Sequence, residues 1–301
     1  VTGVVAELAL ALALPVLLKL LAVSRALAFL AFLGTGAGVA RFVIAREPER
    51  FRALLDARDG LAENAGSLGG LFDFVDSMSP AVIDGATAVV DGRFEIGEGP
   101  LWHVADERLY WTDIPAGHLH RYDPETGDVE RFYEGESVGG FTIQSDGSLA
   151  LFLTEGHVAV LRDGDMETVI DGIAGEEGMR FNDVIADPQG RVFAGTMDMD
   201  DFSVGRLYRI DPDGTITEVV ESLELPNGMG FTPDRSGLYL TESNANVIHR
   251  YDYDEETGEI SDPETFAELP DGEGMYDGLT VDSEGRVWSA LWEGNAVVRH
   301  D

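Results

Sequence analysis

From about Thr87 onward the chain is written in short apolar runs separated by polar turns. Arg180 to Met197, RFNDVIADPQGRVFAGTM, shows the unit. An Arg-x-Asn pair leads into an apolar run. A turn follows at Asp187-Pro188-Gln189-Gly190, and a second apolar run spans Arg191 to Thr196. Runs this short, bounded by Asp, Gly and Pro, read as β-strands. The same layout recurs five times, with register set by the apolar residue after each turn: Leu109, Leu149, Val192, Leu238 and Val287. Successive spacings are 40, 43, 46 and 49 residues. A third strand and a related turn follow several of these, as in HLHRYDPETGD (118–128), RLYRIDPDG (206–214) and VIHRYDYDEETGE (247–259). A repeat of about 40–45 residues with four strands per unit predicts a β-propeller. No amphipathic helical run of ten or more residues separates the strands, which argues against a parallel α/β fold.

The first 77 residues follow a different pattern. Residues 4–45 are mostly apolar, interrupted by Glu7, Lys19, Arg25 and Arg41. The longest runs, Leu8–Leu18 and Ala26–Ala40, fall short of the roughly 20 residues a spanning helix needs. They predict two short hydrophobic helices, or one imperfect anchor. GTGAG at 34–38 does not complete a G-x-G-x-x-G loop and reads as a bend or a helix contact. Residues 46–77 read as helical, with a break at Gly66–Gly70. Two domains are therefore expected: an apolar, helical extension over 1–77 and a propeller over 78–301. The extension is either an anchor through residues 4–45, giving a membrane-attached protein, or lies ahead of a true start at Met78, giving a cytoplasmic one.

Charge marks the same boundary. Residues 1–77 hold 8 acids and 7 bases, leaving 48 acids and 13 bases in 78–301 out of a net charge of −36. The only lysine is Lys19. Such a surface repels nucleic acid and anionic membranes. It suits a protein held in solution at high salt and suggests a halophilic source. With no cysteine, thiolate nucleophiles and thiolate metal sites are excluded. The six histidines show no metal-binding spacing, and no G-x-S-x-G is present.

The repeat register locates candidate chemistry. Equivalent positions of propeller repeats lie on a ring about one axis. Ten or eleven residues before each apolar anchor stand Glu98, Gly139, Asn182, Asn227 and Asp277. Taken singly, each polar residue is an ordinary turn former. Four in register make a ring of oxygen donors at the starts of apolar strands. Carboxylates and amides suit Ca²⁺, Mg²⁺ or Mn²⁺ better than copper or structural zinc. Two carboxylates would balance one divalent ion. Arg180 lies two residues before Asn182 and would face the same way along an extended strand. Its forked donor suits an oxygen-rich substrate, or else a salt bridge. Asp198, just after the GTM segment, is a further candidate at the mouth.

The segments GEGPLW (97–102), RFNDVIADPQGRVFAGTM (180–197), LPNGMGFTPDRSGLYLTES (225–243), RYDYDEETGEI (250–260) and MYDGLTVDSEGRVW (275–288) resemble the SMP-30/gluconolactonase (regucalcin-like) family, in the family's order over residues 88–301. The resemblance implies a six-bladed propeller with one divalent metal on its axis: Ca, Mg, Mn, Zn or Fe. It implies metal ligands at Glu98, Asn227 and Asp277, substrate contacts at Arg180 and Asn182, and a base at Asp277. The implied reaction is hydrolysis of a sugar lactone to its aldonic acid. Another metal-dependent ester or organophosphate hydrolase on the same scaffold is an alternative, as is a non-enzymatic calcium-binding regulatory propeller. Residues 1–77 have no counterpart in the family pattern. The chain stops within the fifth visible repeat, so a propeller truncated at its C-terminus is expected.

Overall fold

In the computed structural model, residues 29–32, 41–45, 88–200, 202–270 and 272–301 are described. All regular elements among them are strands. β1 (Phe29–Phe32), β2 (Arg41–Ala45) and β3 (Ala88–Asp91) form a three-stranded sheet in that order. The first blade holds β4 (Gly97–His103), β5 (Arg108–Asp113), β6 (His118–Tyr122) and β7 (Val129–Glu134). The second holds β8 (Gly140–Ile143), β9 (Leu149–Phe152), β10 (Val158–Arg162) and β11 (Asp165–Ile170). The third holds β12 (Met179–Ala186), β13 (Val192–Asp198), β14 (Gly205–Ile210) and β15 (Ile216–Leu223). The fourth holds β16 (Pro226–Phe231), β17 (Gly237–Glu242), β18 (Val247–Tyr253) and β19 (Ile260–Glu268). The fifth holds β20 (Met275–Val281), β21 (Val287–Trp292) and β22 (Ala296–His300). Each blade is an antiparallel meander, and the architecture is an all-β propeller of five described blades.

The pattern of burial explains the pattern of sequence. The second strand of a blade is enclosed on both faces. β13, β17 and β21 are buried at all but their last residue, so they read as unbroken apolar runs. Outer strands such as β7 and β11 are largely exposed and carry most of their charge outward. The core lies between blades, where apolar faces stack. Leu119, Phe141 and Leu151 join blades one and two. Phe152, Phe181 and Tyr208 join two and three. Phe193, Leu207 and Leu240 join three and four, and Tyr239, Tyr276 and Leu291 join four and five. Each such side chain contributes about 1.5–3 kcal/mol through burial.

The first strands pack successively against one another, β4 on β8, β8 on β12, β12 on β16 and β16 on β20, and so line the axis. Their approach is close enough to demand glycine at two places. A Cβ on Gly139 would stand 1.8 Å from the Phe181 carbonyl oxygen, and one on Gly228 would stand 2.1 Å from the Leu279 nitrogen.

The expected helical extension is corrected where it can be seen. Phe29–Phe32 and Arg41–Ala45 are strands, paired with each other and with β3. Their Phe, Val and Ile content favours an extended backbone once a partner edge is present. The GTGAG segment and residues 46–77 lie outside the described residues, as does most of the 4–45 run. Among the described residues no helix is long and apolar enough to cross a membrane.

Candidate metal and substrate site

Four of the five axial strands carry the same local irregularity. Between Glu98 and Leu101, Phe181 and Val184, Pro226 and Met229, and Tyr276 and Leu279, the ladder to the second strand slips by one residue. Each slip is a β-bulge, which re-aims side chains out of the regular alternation. Glu98 stands at the edge of the first. Asn182, Asn227 and Asp277 lie within the other three. The remaining axial strand, β8, pairs without a slip, and its ring position is Gly139. The blades with a polar ring residue are thus the blades with a bulge.

The bulges link Arg180, Asn182, Asn227 and Asp277 by hydrogen bonds and bring Glu98 within reach of their charges. Arg180 Nη1 donates to Asn182 Oδ1 at 2.8 Å and to the Phe181 carbonyl at 2.9 Å. Asn182 Nδ2 donates to the Pro226 carbonyl at 3.0 Å, crossing to the fourth blade. There Asn227 Nδ2 donates to Asp277 Oδ1 at 2.6 Å and to Ser243 Oγ at 3.2 Å. Asn227 and Asp277 are buried, at 8% and 5% exposure. Arg180, Asn182 and Glu98 are half-buried within the ring.

A carboxylate that the repeat register passed over belongs to the same group. Asp183 is the second residue of the third-blade bulge, where blades four and five have Gly228 and Gly278. It raises the proton affinity of Glu98 and feels the charge of Asp277. The register counted one residue per repeat, and the bulge presents two. The signal was the polar pair Asn182-Asp183 before an apolar strand whose counterparts read Asn-Gly and Asp-Gly.

The electrostatics are those of crowded, dehydrated carboxylates. Burial first, then Asp277 and Asp183, raises Glu98 well above the usual carboxylate range, against the pull of Arg180. Burial pushes Asp183 up to about 7, with Asp277 adding to it and the Val184 amide opposing. Burial pushes Asp277 up to about 6, opposed by hydrogen bonds from Asn227 and the Gly278 amide and by Arg180. Burial also lowers Arg180, while Glu98 and Asp277 hold its charge in place. Three carboxylates therefore lie within electrostatic reach of one another, with the Arg180 guanidinium acting on Glu98 and Asp277. Such a site favours a bound cation, which would relieve the repulsion. Its donors are all oxygen, as hard divalent ions require. Among the described residues no three acidic or histidine side chains stand close enough to hold an ion by themselves. The set that fits is Glu98 and Asp277 completed by the Asn227 amide oxygen.

Asp198 ends β13, where its Oδ1 accepts from the Asp200 amide at 2.7 Å. It stands opposite Met179, at the same end of the blade as Arg180.

A propeller whose bulged axial strands converge on carboxylate, amide and guanidinium groups is of the kind that binds a metal and an oxygen-rich ligand at one mouth. The SMP-30/Gluconolactonase/LRE-like region matches residues 96–301, and the chain belongs to this family. Pentonolactonase XacC of Haloferax volcanii is 52% identical over 215 residues, which is 71% of this chain and 73% of that protein. The 6-deoxy-6-sulfogluconolactonase of Pseudomonas putida is 35% identical, over 68% of this chain and 71% of its own length. Among solved structures, a luciferin-regenerating enzyme superposes with a TM-score of 0.65 at 26% identity, covering 69% of this chain and 73% of that one.

Proposed function

We propose that the protein hydrolyses a sugar lactone to its aldonic acid with the help of one divalent ion. The observation that carries the reading is the bulged ring, which gathers Glu98, Asn182, Asn227 and Asp277 beside Arg180. The lactonase relatives within the family support it. Glu98, Asn227 and Asp277 would hold the ion. When bound, a divalent ion in such a site polarises the lactone carbonyl and increases the acidity of water. Arg180 and Asn182 orient the sugar hydroxyls, which places the carbonyl for attack. Asp198 is proposed to meet the substrate at the rim. Asp277 takes the proton of the attacking water as general base. Water oxygen bonds to the carbonyl carbon, the ring C–O bond breaks, and its oxygen is protonated. At neutral pH each turnover yields an aldonate and one proton.

We further propose that the working unit is a six-bladed ring acting in the cytoplasm, in which residues 78–301 supply the five blades β4–β22 and the sheet β1–β3, drawn partly from the extension over 1–77, supplies the sixth. The sheet β1–β3 supports closure, because β1 touches both β4 and β21.

The test is proton release from glucono-, galactono-, xylono- and arabinono-lactone after chelation and return of Ca²⁺, Mg²⁺, Mn²⁺, Zn²⁺ or Fe²⁺. Turnover restored by one ion and abolished in Asp277→Ala is the expected result. Ion binding without acceleration over the spontaneous rate would instead leave a calcium-binding propeller. Turnover of aryl esters or organophosphates alone would move the substrate class.

A further inference from the structure

Among the described residues the most deeply buried carboxylate lies outside this group. Glu176 has no exposed surface, yet it belongs to the connection between β11 and β12 rather than to a strand. One of its oxygens, Oε1, accepts from the Arg206 guanidinium and, at 2.7 Å, from the Tyr208 hydroxyl. The other, Oε2, is buried without a hydrogen bond among the described residues. A carboxylate is expelled from a protein interior unless it is paired, so burial here means that the connection is held firmly against β14. Arg206 secures the same turn a second time through the Gly175 carbonyl.

This turn opens directly into the site. The Glu176 amide bonds to Ile173, and the Met179 amide bonds back to the Glu176 carbonyl at 3.0 Å. Arg180 is the next residue, with Asn182 two further on. Gly175 and Gly178 flank the anchored turn at φ of 91° and 82°. Glycines in that conformation are the most costly to order. The segment that delivers Arg180 is therefore costly to order, and the Glu176 side chain, with Arg206 on the Gly175 carbonyl, anchors it to β14. The hydrogen bonds Glu155 N–H to Met179 carbonyl and Phe181 N–H to Leu153 carbonyl then carry that placement onto the second blade.

We infer that Glu176 is a positioning residue: clamped by Arg206 and Tyr208, it sets the entry of β12 and thereby the placement of Arg180 and Asn182. The inference rests on the lactonase reading for its kinetic readout only. Glu98, Asn227 and Asp277 come from other blades, so the clamp holds none of the ion's ligands, and displacing Arg180, whose charge acts on Glu98 and Asp277, does not weaken the binding of a cation.

The experiment compares the full chain with Glu176→Gln and with Tyr208→Phe, which deletes one donor and keeps the ring. Three quantities are measured: hydrogen exchange of the Met179 and Phe181 amides, Ca²⁺ or Mn²⁺ affinity by calorimetry, and KM against kcat for the lactone turned over. Faster exchange at both amides, ion affinity no weaker than wild type and a rise in KM that lowers kcat/KM by about ten- to a hundredfold are expected, with Tyr208→Phe the milder. A lower melting temperature with wild-type exchange and wild-type KM would overturn the inference and leave Glu176 a packing element. Weaker ion binding in either variant would also overturn it. If the wild-type protein hydrolyses no lactone, the proposed function fails, and the exchange and ion measurements still decide this inference alone.

Discussion

Asp277→Asn separates the stability of the site from its chemistry. The substitution keeps an oxygen for the 2.6 Å hydrogen bond from Asn227 and removes one charge. In the ion-free protein that charge is unfavourable, because burial pushes Asp277 from 3.8 up to about 6. The sign follows from the raised value. The protonated form is favoured by the fold, so its contribution is complete below about pH 4 and is lost as the pH passes 6. A shift of about two units corresponds to about 3 kcal/mol at pH 8. With roughly 2–4 °C per kcal/mol for a domain of this size, Asp277→Asn should melt about 6–12 °C higher than wild type in chelator at pH 8. The two proteins should converge at pH 4. Saturating divalent ion should reverse the order, because the wild type gains more from binding. Lactone turnover should fall by about 10²–10⁴ with loss of the base. Melting curves at pH 4 and pH 8, with chelator and with ion, check all of this. An Asn variant no more stable than wild type in chelator at pH 8, or a gap that persists at pH 4, would refute the crowding argument.

Other expectations concern the supporting structure. Asp183, pushed up to about 7, should make the ion-free wild type lose stability as the pH rises from 5 to 8. Asp183→Asn should flatten that dependence, as denaturant titrations would show. Gly139→Ala places a methyl 1.8 Å from the Phe181 carbonyl. It should separate blades two and three, costing stability and kcat/KM together in calorimetry and proton-release assays. Arg191 donates to Asp187 at 2.5 Å, to Tyr253 at 3.2 Å and to the Glu255 carbonyl at 2.6 Å. Arg191→Met leaves the buried Asp187 without its ion pair, held by the Tyr253 hydroxyl and the amides of residues 189 and 191, and should cost about 3–5 kcal/mol, measured by equilibrium unfolding. Addition of Asp187→Asn should recover much of that loss.

The sequence by itself determined the architecture of the repeats. The second strand of each blade is enclosed on both faces, so Leu109, Leu149, Val192, Leu238 and Val287 had to be apolar, and their spacing exposed the propeller. The register then placed Glu98, Asn182, Asn227 and Asp277 on one ring, since repeats about an axis put like positions together. Tertiary structure alone decided what depends on contacts between distant segments. The bulges count two residues where the repeat counts one, which brought Asp183 into the group and made three carboxylates of two. Glu176 reads as one more acid in an acidic chain until β14 encloses it. The strand at Phe29–Phe32 forms by pairing with Arg41–Ala45, and that strand by pairing with β3, and an apolar run does not declare its partner. Apolar periodicity is a local property and is legible in order along the chain. Burial of charge is set by what packs against it from other blades, and no window of sequence contains that.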